Sequence, residues 1–488
     1  MNILRIFIAV LILLFVGVSL QPGEFFIPVE VPEYKILSDF LQRDEFENIS
    51  TRFNSQLAPI SEKNLFPDNM IFGKTKPDRF QLSPFLIISE DFRSSKFSRA
   101  SGFESIRVGF LALAQKNISV YTSYLLDERL AQDPEYKGKK WRGLAGEVES
   151  AMAVYKGRGF QIIAGRFGSS WGPSRQSLIL SETARPMDGI QIRGDWGKFK
   201  FTYQFAKLNR QFSFIENQVG YENRYFAGHR IAFKPNKNLH FSLFETIIYG
   251  GPGRSIELAY LNPLMFFHAF QLNENYDDNT FLGFDFTWFL KNRHKFYGQF
   301  LIDDFQIDSE VRGDNEPNEI GIQLGIHSID LFNLFDLKAE YLKITNRTYN
   351  QIYARNRYEN RGELIGHPFG PDGERYSLTF EKWFRDNKKA SLNFSYQRKG
   401  EGRFDDYWDE PWLDTDDYSE PFPTGIVEKS FLISTAFSGY IKPYLYIDAL
   451  SGINIIDNYA HIDGLSKTIP FLSIRLSLLL STRLNVQN

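Results

Sequence analysis

The sequence predicts an all-β transmembrane fold, an antiparallel outer-membrane β-barrel of about eighteen strands behind a short N-terminal helical segment. Three observations predict it. The chain opens on an export leader, period-two alternation recurs from near residue 80 to the end, and the connections between alternating segments sort by length.

The leader comes first. Arg5 closes a short start, Ile6 to Val18 is an unbroken apolar run, and Ser19, Leu20 and Gln21 end it. A basic start followed by such a run reads as a secretory signal peptide over residues 1–20, cut after Ser19 or Leu20. A membrane span would need about 20 apolar residues. The chain has no cysteine, which removes a lipoprotein anchor, disulfides and thiolate metal sites. Residues 21–79 form the second unit. Tyr34, Leu37, Phe40 and Leu41 have helical spacing, and 45–57 is polar with scattered aromatics. One or two short periplasmic helices are expected there, able to tuck into the barrel mouth as a partial plug.

Residues 80–488 form the barrel. No later stretch is apolar for the length of a transmembrane helix, yet the chain holds 47 Phe, 24 Tyr and 7 Trp at a mean hydropathy of −0.31. A barrel reconciles the two facts, because apolar residues occupy only every second position of a strand. In 199–207, Phe199, Phe201, Tyr203 and Phe205 alternate with Lys200, Thr202 and Gln204. In 281–290, Leu282, Phe284, Phe286, Trp288 and Leu290 alternate with Gly283, Asp285 and Thr287, and 390–398 and 474–481 behave alike. Strands are read near 80–91, 104–114, 118–126, 144–155, 160–167, 189–196, 199–208, 225–235, 239–249, 280–290, 294–303, 318–328, 334–345, 374–384, 388–398, 426–438, 442–453 and 467–482. Pro84 and Pro470 fall inside the first and last of these, where each removes a ladder donor. A soluble sandwich alternates too, but it has no reason to sort its loops. Here every second connection is tight, as at Lys156–Gly159, Gly197–Lys198 and Lys291–Arg293. The others are long: 127–143, 168–188, 209–224, 250–279, 304–317, 346–373 and 399–425. Tight turns facing the periplasm and long loops facing outward are the barrel signature.

The block Gly165–Arg185, GRFGSSWGPSRQSLILSETAR, is followed by Pro186. WGP, then SLILS, then ARP resembles the capsule-assembly Wzi family of outer-membrane barrels. Tyr260–Leu264 (YLNPL), Leu301–Phe305 (LIDDF) and Gly366–Gly373 (GHPFGPDG) stand in the expected order. The resemblance implies a barrel with a periplasmic helical segment, and a role in holding capsular polysaccharide at the surface of a Gram-negative-type cell.

Two loops carry candidate chemistry. In 168–188, one reading stacks Trp171 on a sugar ring and sets Arg175 or Arg185 against its acidic or hydroxyl groups. The other folds the loop into the lumen with Ile179 and Leu180 packed inside. We favour the second, since SLILS is too apolar to lie in water. The loop 403–420 interleaves acids with Tyr407, Trp408, Trp412 and Tyr418. Its aromatic rings suit sugars, and Asp405, Asp406, Asp409, Asp414 and Asp416 suit Ca²⁺, a hard cation that takes oxygen ligands. Charge runs are more often solvated faces, and the spacing matches no EF-hand. The candidates for polysaccharide contact, should either loop reach the glycan, are Trp171, Arg175, Arg185, Tyr407, Trp408 and Trp412.

The seven histidines form no recognised pairing with a serine and an acid, and no nucleotide-binding or zinc-hydrolase motif occurs. No catalytic residue and no cofactor is expected. A net charge of −3 gives no reason to expect nucleic acid. The expected partners are membrane lipid and surface polysaccharide, and the expected state is a monomer. The leading expectation is a non-enzymatic barrel that binds or organises surface glycan. A porin or solute-specific channel comes second, and a barrel-wall lipid-modifying enzyme third.

Overall fold

A computed structural model of the chain describes Asp39 and residues 80–95, 99–114, 117–133, 136, 138–215, 218–306, 315–384, 388–415, 418–481 and 484–486. The expected leader and N-terminal helices lie outside these residues, Asp39 excepted, as do Asp416 and parts of the turns at 115–117 and 385–387.

Eighteen strands wind in chain order into one closed antiparallel barrel. They are β1 (Phe80–Ser95), β2 (Arg99–Ala114), β3 (Ile118–Asp127), β4 (Leu144–Gly157), β5 (Phe160–Phe167) and β6 (Met187–Trp196). Next come β7 (Phe199–Lys207), β8 (Gln218–Asn236), β9 (Leu239–Gly251), β10 (Asn279–Leu290), β11 (His294–Asp304) and β12 (Glu319–Leu331). The last are β13 (Phe335–Ile344), β14 (Gly373–Phe384), β15 (Lys388–Lys399), β16 (Glu428–Lys442), β17 (Leu445–Asp457) and β18 (Lys467–Ser481). β1 closes on β18 from Phe85↔Ser481 to Ser95↔Phe471. Across this seam Ser89 Oγ and Ser477 Oγ lie 2.9 Å apart, and Arg475 donates to Asp91 at 3.3 Å. Closure is required because each unpaired backbone group costs several kcal/mol in hydrocarbon.

The eighteen expected strands are all present. The largest displacement is at β8, which begins at 218 rather than 225. Its first residues pair with Gln211–Ile215 in a hairpin, and pairing with β7 starts only at Tyr225↔Lys207. That hairpin meets the loop between β13 and β14 rather than the wall, with Gln211 donating to Glu359 and Glu222 accepting from Arg355. Pro84 sits opposite Phe110, and Pro470 opposite Ile453.

The alternation places side chains as expected. On β10, Phe284 and Trp288 are exposed on the outer wall, while Asp285 and Thr287 are buried toward the lumen. Asp285 meets Arg230 of β8 in a two-pronged ion pair, with Nη2–Oδ1 at 2.8 Å. Near the tight turns the outer wall carries a girdle of exposed Tyr155, Phe160, Trp196, Phe199, Trp288 and Phe384. Its rings pair, Phe199 with Phe233 at 4.9 Å and Trp288 with Phe296 at 5.5 Å. Toward the long loops, Tyr124, Tyr376, Tyr396 and Phe431 form a second belt. Two aromatic belts on an apolar wall are what the two membrane interfaces select.

Among the described residues the connections hold three short α-helices, α1 (Glu128–Gln132), α2 (Leu258–Leu261) and α3 (Phe267–Glu274), besides single 3-10 turns. α2 and α3 belong to the connection between β9 and β10, and they pack on the outside of the wall. Tyr203, Tyr225, Ile247 and Tyr249 share strand faces with the exposed Phe199, Ile231, Phe241 and Leu243, yet they are buried under Tyr260 and Phe267.

Candidate functional site

The lumen is filled by the loop between β5 and β6. Leu178, Ile179 and Leu180 are fully buried, and Trp171 nearly so. They pack against the lumen face of the wall at Phe226, Phe244, Phe281, Leu301 and Leu342. The loop turns back on itself through a Trp171 N to Leu180 O bond of 2.9 Å. Gly172 makes the turn at φ +127, and a Cβ there would meet Gln299 Nε2 at 2.7 Å, so only glycine fits. The wall satisfies several of the loop's polar groups. Gln299 accepts from Leu178 N at 2.6 Å and from Ser177 Oγ at 2.9 Å, and Lys295 donates to Pro173 O at 3.2 Å. Tyr349 and Tyr358 donate their hydroxyls to the carbonyls of Leu178 and Ile179, at 2.6 and 2.7 Å.

Those tyrosines come from the loop between β13 and β14, which caps the first loop. Arg224, fully buried, gathers it by donating to Arg355 O, Arg357 O, Glu359 O and the Glu359 carboxylate. In the GHPFGPDG stretch, burial holds the His367 imidazole well below its ordinary pKa, with Arg375 and Lys399 adding to the effect. It accepts from Phe369 N at 3.0 Å. Asp372, with no exposed surface, accepts from Gly402 N, Thr424 N and Thr424 Oγ1 at 2.9, 2.9 and 2.6 Å. It thereby ties both ends of the acidic loop to the cap.

The acidic loop spreads its carboxylates over arginines. Arg347 of the cap donates to Asp409 at 3.1 Å and to Glu420, and its guanidinium lies 4.8 Å from the Trp412 ring. Burial works against this cation, yet Glu420 and Asp409 hold its pKa above the ordinary value. Asp405 is bound by Arg403, and Asp406 accepts from Arg403 N. No three of Asp405, Asp406, Asp409 and Asp414 converge to ligating distance of one another among the described residues. Trp412 is buried and stands edge-on to Trp408 at 6.3 Å, while Tyr407 is 90% exposed.

The six expected glycan residues therefore separate. Tyr407 and part of Trp408 face outward, and Trp412 is the buried prop behind Trp408. Arg185 lies between Glu147, at 3.2 Å, and Glu363. Trp171 is sealed in the lumen, as the inward reading of its loop has it. Arg175 points down the lumen and donates to Glu182 and to Asp39. Asp39 also accepts from Lys389 Nζ, beside the tight turn that precedes β15. Burial opposes the Arg175 cation, and the charges of Asp39 and Glu182 nevertheless raise its pKa. Arg347, Asp372, Arg224 and the Tyr349–Tyr358 pair were missed, because each acts on partners far away in the chain.

Two further groupings bear on chemistry. His327, Asp336 and Glu381 place their ligand atoms within 4.8 Å of one another in the lumen. Lys338 and Lys389 already hold Glu381, at 2.9 and 3.1 Å, where a cation would sit. On the outer wall, His294 Nδ1 lies 2.9 Å from Ser328 Oγ. Among the described residues no carboxylate or amide is bonded to His294 to fix its tautomer, which a hydrolytic triad requires.

A closed barrel with two aromatic belts and a lumen packed by its own loop is an outer-membrane β-barrel of the occluded kind. The model of the capsule assembly protein Wzi matches residues 112–465, and the chain belongs to that family. Among solved structures it is similar to Wzi of Escherichia coli, described as an outer-membrane protein involved in group 1 capsule assembly and as a carbohydrate-binding β-barrel. Identity is 16%, over 82% of this chain and 84% of that one, with a TM-score of 0.54. It is more distantly similar to OccAB4 of Acinetobacter baumannii, at 8% identity over 84% and 99% of the two chains and a TM-score of 0.46. OprD of Pseudomonas aeruginosa stands at 9% over 82% and 95%, with a TM-score of 0.45. No curated protein matches the sequence. Family and fold locate the protein in the outer membrane of a Gram-negative bacterium.

Proposed function

We propose that this barrel holds capsular or related polysaccharide on its outer face, without catalysing a reaction. The observation that carries the reading is the filled lumen. An apolar loop occupies the channel and a second loop covers it, so the outer loops, rather than a pore, are what the protein offers. Membership of the capsule-assembly family supplies the ligand class. A distant relative's carbohydrate binding agrees with it. Residues 21–79 then act as the inner stopper. In support, Asp39 meets both the descending loop at Arg175 and the wall at Lys389.

Tyr407 and Trp408 are the contact surface on this reading. Sugar rings offer C–H faces to an aromatic plane and hydroxyls to polar groups, and the Arg347 guanidinium, bound to Asp409, lies 6.0 Å from the Trp408 ring. Retention of capsular polysaccharide on cells and glycan binding by the purified barrel should both fall in Tyr407→Ala/Trp408→Ala. Heat-modifiable migration should stay that of the wild type, since exposed loop residues contribute little to the wall. Unchanged retention and binding would remove this loop from the site. Steady large currents through the wild-type protein in planar bilayers would favour a channel instead.

A further inference from the structure

The connection between β9 and β10 folds its two helices against the outside of the barrel; the cap loop grips only its far end, where Arg355 and Asn356 donate to Asp277, and the stretch over 256–276 has no part in the filled lumen or the glycan-facing loops. Its root is clamped by Arg254, which donates to Glu257 and Asp278, while Tyr260 Oη donates to Asp278 at 2.6 Å. From there α2 and α3 descend along the wall. Tyr203 Oη donates to Tyr260 O at 2.7 Å, and the Tyr260 ring rests 4.6 Å from Tyr249. The N-terminus of α3 lands on Glu245, whose carboxylate accepts from Phe267 N at 3.0 Å and from His268 N at 2.8 Å. His229 Nε2 lies 3.1 Å from the same carboxylate. Glu245 sits on the lipid-side face of β9, between Leu243 and Ile247, where an uncovered acid would be costly. The helix end neutralises it with two backbone donors and its dipole.

The far side of the flap is left apolar. Leu258 and Leu264 are more than four-fifths exposed, and Ile256, Phe266 and Leu272 at least half. Over 256–276 the only ionisable acids or bases besides tyrosine are Glu257, His268 and Glu274. Directly below the α3 landing point the wall continues as Leu243 and Ile231, both strongly exposed in the lipid belt. On this arc the tyrosines and phenylalanine that would complete the outer aromatic belt, Phe205, Tyr225 and Tyr249, are hidden beneath the flap.

We propose that the flap over 256–276 is a lipid-inserted element, with Leu258, Leu264, Phe266 and Leu272 seated among outer-leaflet acyl chains in place of the aromatic belt it covers. Continuity selects this occupant. The exposed residues extend a wall that already faces hydrocarbon, and they carry no charge pattern for a polar partner. An apolar face of this kind gains by leaving water in proportion to the area covered, so lipid contact holds the flap down.

Because the chain has no cysteine, a single introduced thiol reports one position. Leu264→Cys and Leu272→Cys would be spin-labelled in the full barrel in palmitoyl-oleoyl phosphatidylcholine vesicles. Leu243→Cys serves as the lipid-facing reference and Tyr407→Cys as the aqueous one. Collision with oxygen and with the water-soluble nickel chelate is then compared by electron paramagnetic resonance. The expected oxygen-to-nickel ratio at 264 and 272 matches that at 243 and exceeds that at 407 several-fold. A ratio like that at 407 would place the flap in water and overturn the proposal. Low collision with both reagents, with spin–spin broadening, would show a second copy seated there and overturn it equally. All four positions are exposed, so labelling leaves the wall intact, and heat-modifiable migration verifies it.

Discussion

Ile179→Asp should open the barrel without unfolding it. Ile179 has no exposed surface, and its neighbours Leu178 and Leu180 have none either. Burying three such side chains contributes roughly 1.5–3 kcal/mol each, so about 5–9 kcal/mol holds the loop in the lumen. The substitution removes one of those contributions, about 2 kcal/mol. It also places a carboxylate among apolar side chains, at about 3–5 kcal/mol. The loss, roughly 5–7 kcal/mol, is comparable to the whole docking term. The wall keeps its strand ladder, so the cheaper outcome is for the loop to leave. Planar-bilayer recordings should show a nearly silent wild type and discrete current steps in the variant, with unchanged heat-modifiable migration. Ile179→Val, at about 0.5–1.5 kcal/mol, should stay silent. A folded Ile179→Asp barrel that passes no current even when residues 21–79 are deleted would refute the argument that this loop closes the lumen.

Phe284→Arg should lower barrel stability by about 2–4 kcal/mol in a denaturant titration in vesicles, because Phe284 faces lipid near mid-depth. Asp285→Asn should cost about 3–5 kcal/mol by leaving the Arg230 cation buried, and the double change Arg230→Met/Asp285→Leu should recover most of it. Glu316, in the connection between β11 and β12, is pushed up to about 7 by burial and then by the charge of Asp304. The folded state therefore holds a proton that the unfolded chain, with an ordinary value near 4.5, releases. The stabilisation is fully present below that lower value and is lost as pH rises to about 7. Amide protection at 315–320, taken relative to the intrinsic exchange rate at each pH, should fall across that window, and Glu316→Gln should reduce the fall, leaving the share that belongs to Asp303, Asp304 and Glu319.

The wall was legible because lipid and lumen impose opposite demands on successive residues, and a run such as Phe284-Asp285-Phe286-Thr287 records both. The inward loop was legible for a related reason, since SLILS cannot stand in water. The cap was not. Arg224 and Glu359, or Asp372 and Thr424, are polar residues in polar stretches, and only the closed barrel brings them together. Trp408 and Trp412 look alike in sequence. Arg347, some sixty residues earlier, makes one of them a prop and leaves the other partly open. The outer flap left one trace, Glu245 on an otherwise apolar face, which is intelligible only once α3 is seen to land on it.

The seam between β1 and β18 also dictates an order of events. Ser89 and Ser477 are 388 positions apart, so the contact that completes the wall joins the two extremes of the described barrel. All other neighbouring barrel strands are consecutive in sequence and can zip locally as hairpins. Closure must be the step of highest contact order, and such steps are slow. Until it happens both terminal strands expose open edges, which are templates for pairing with other chains. A chain truncated before Lys467 would never reach that step, and its fate should be aggregation rather than a smaller barrel.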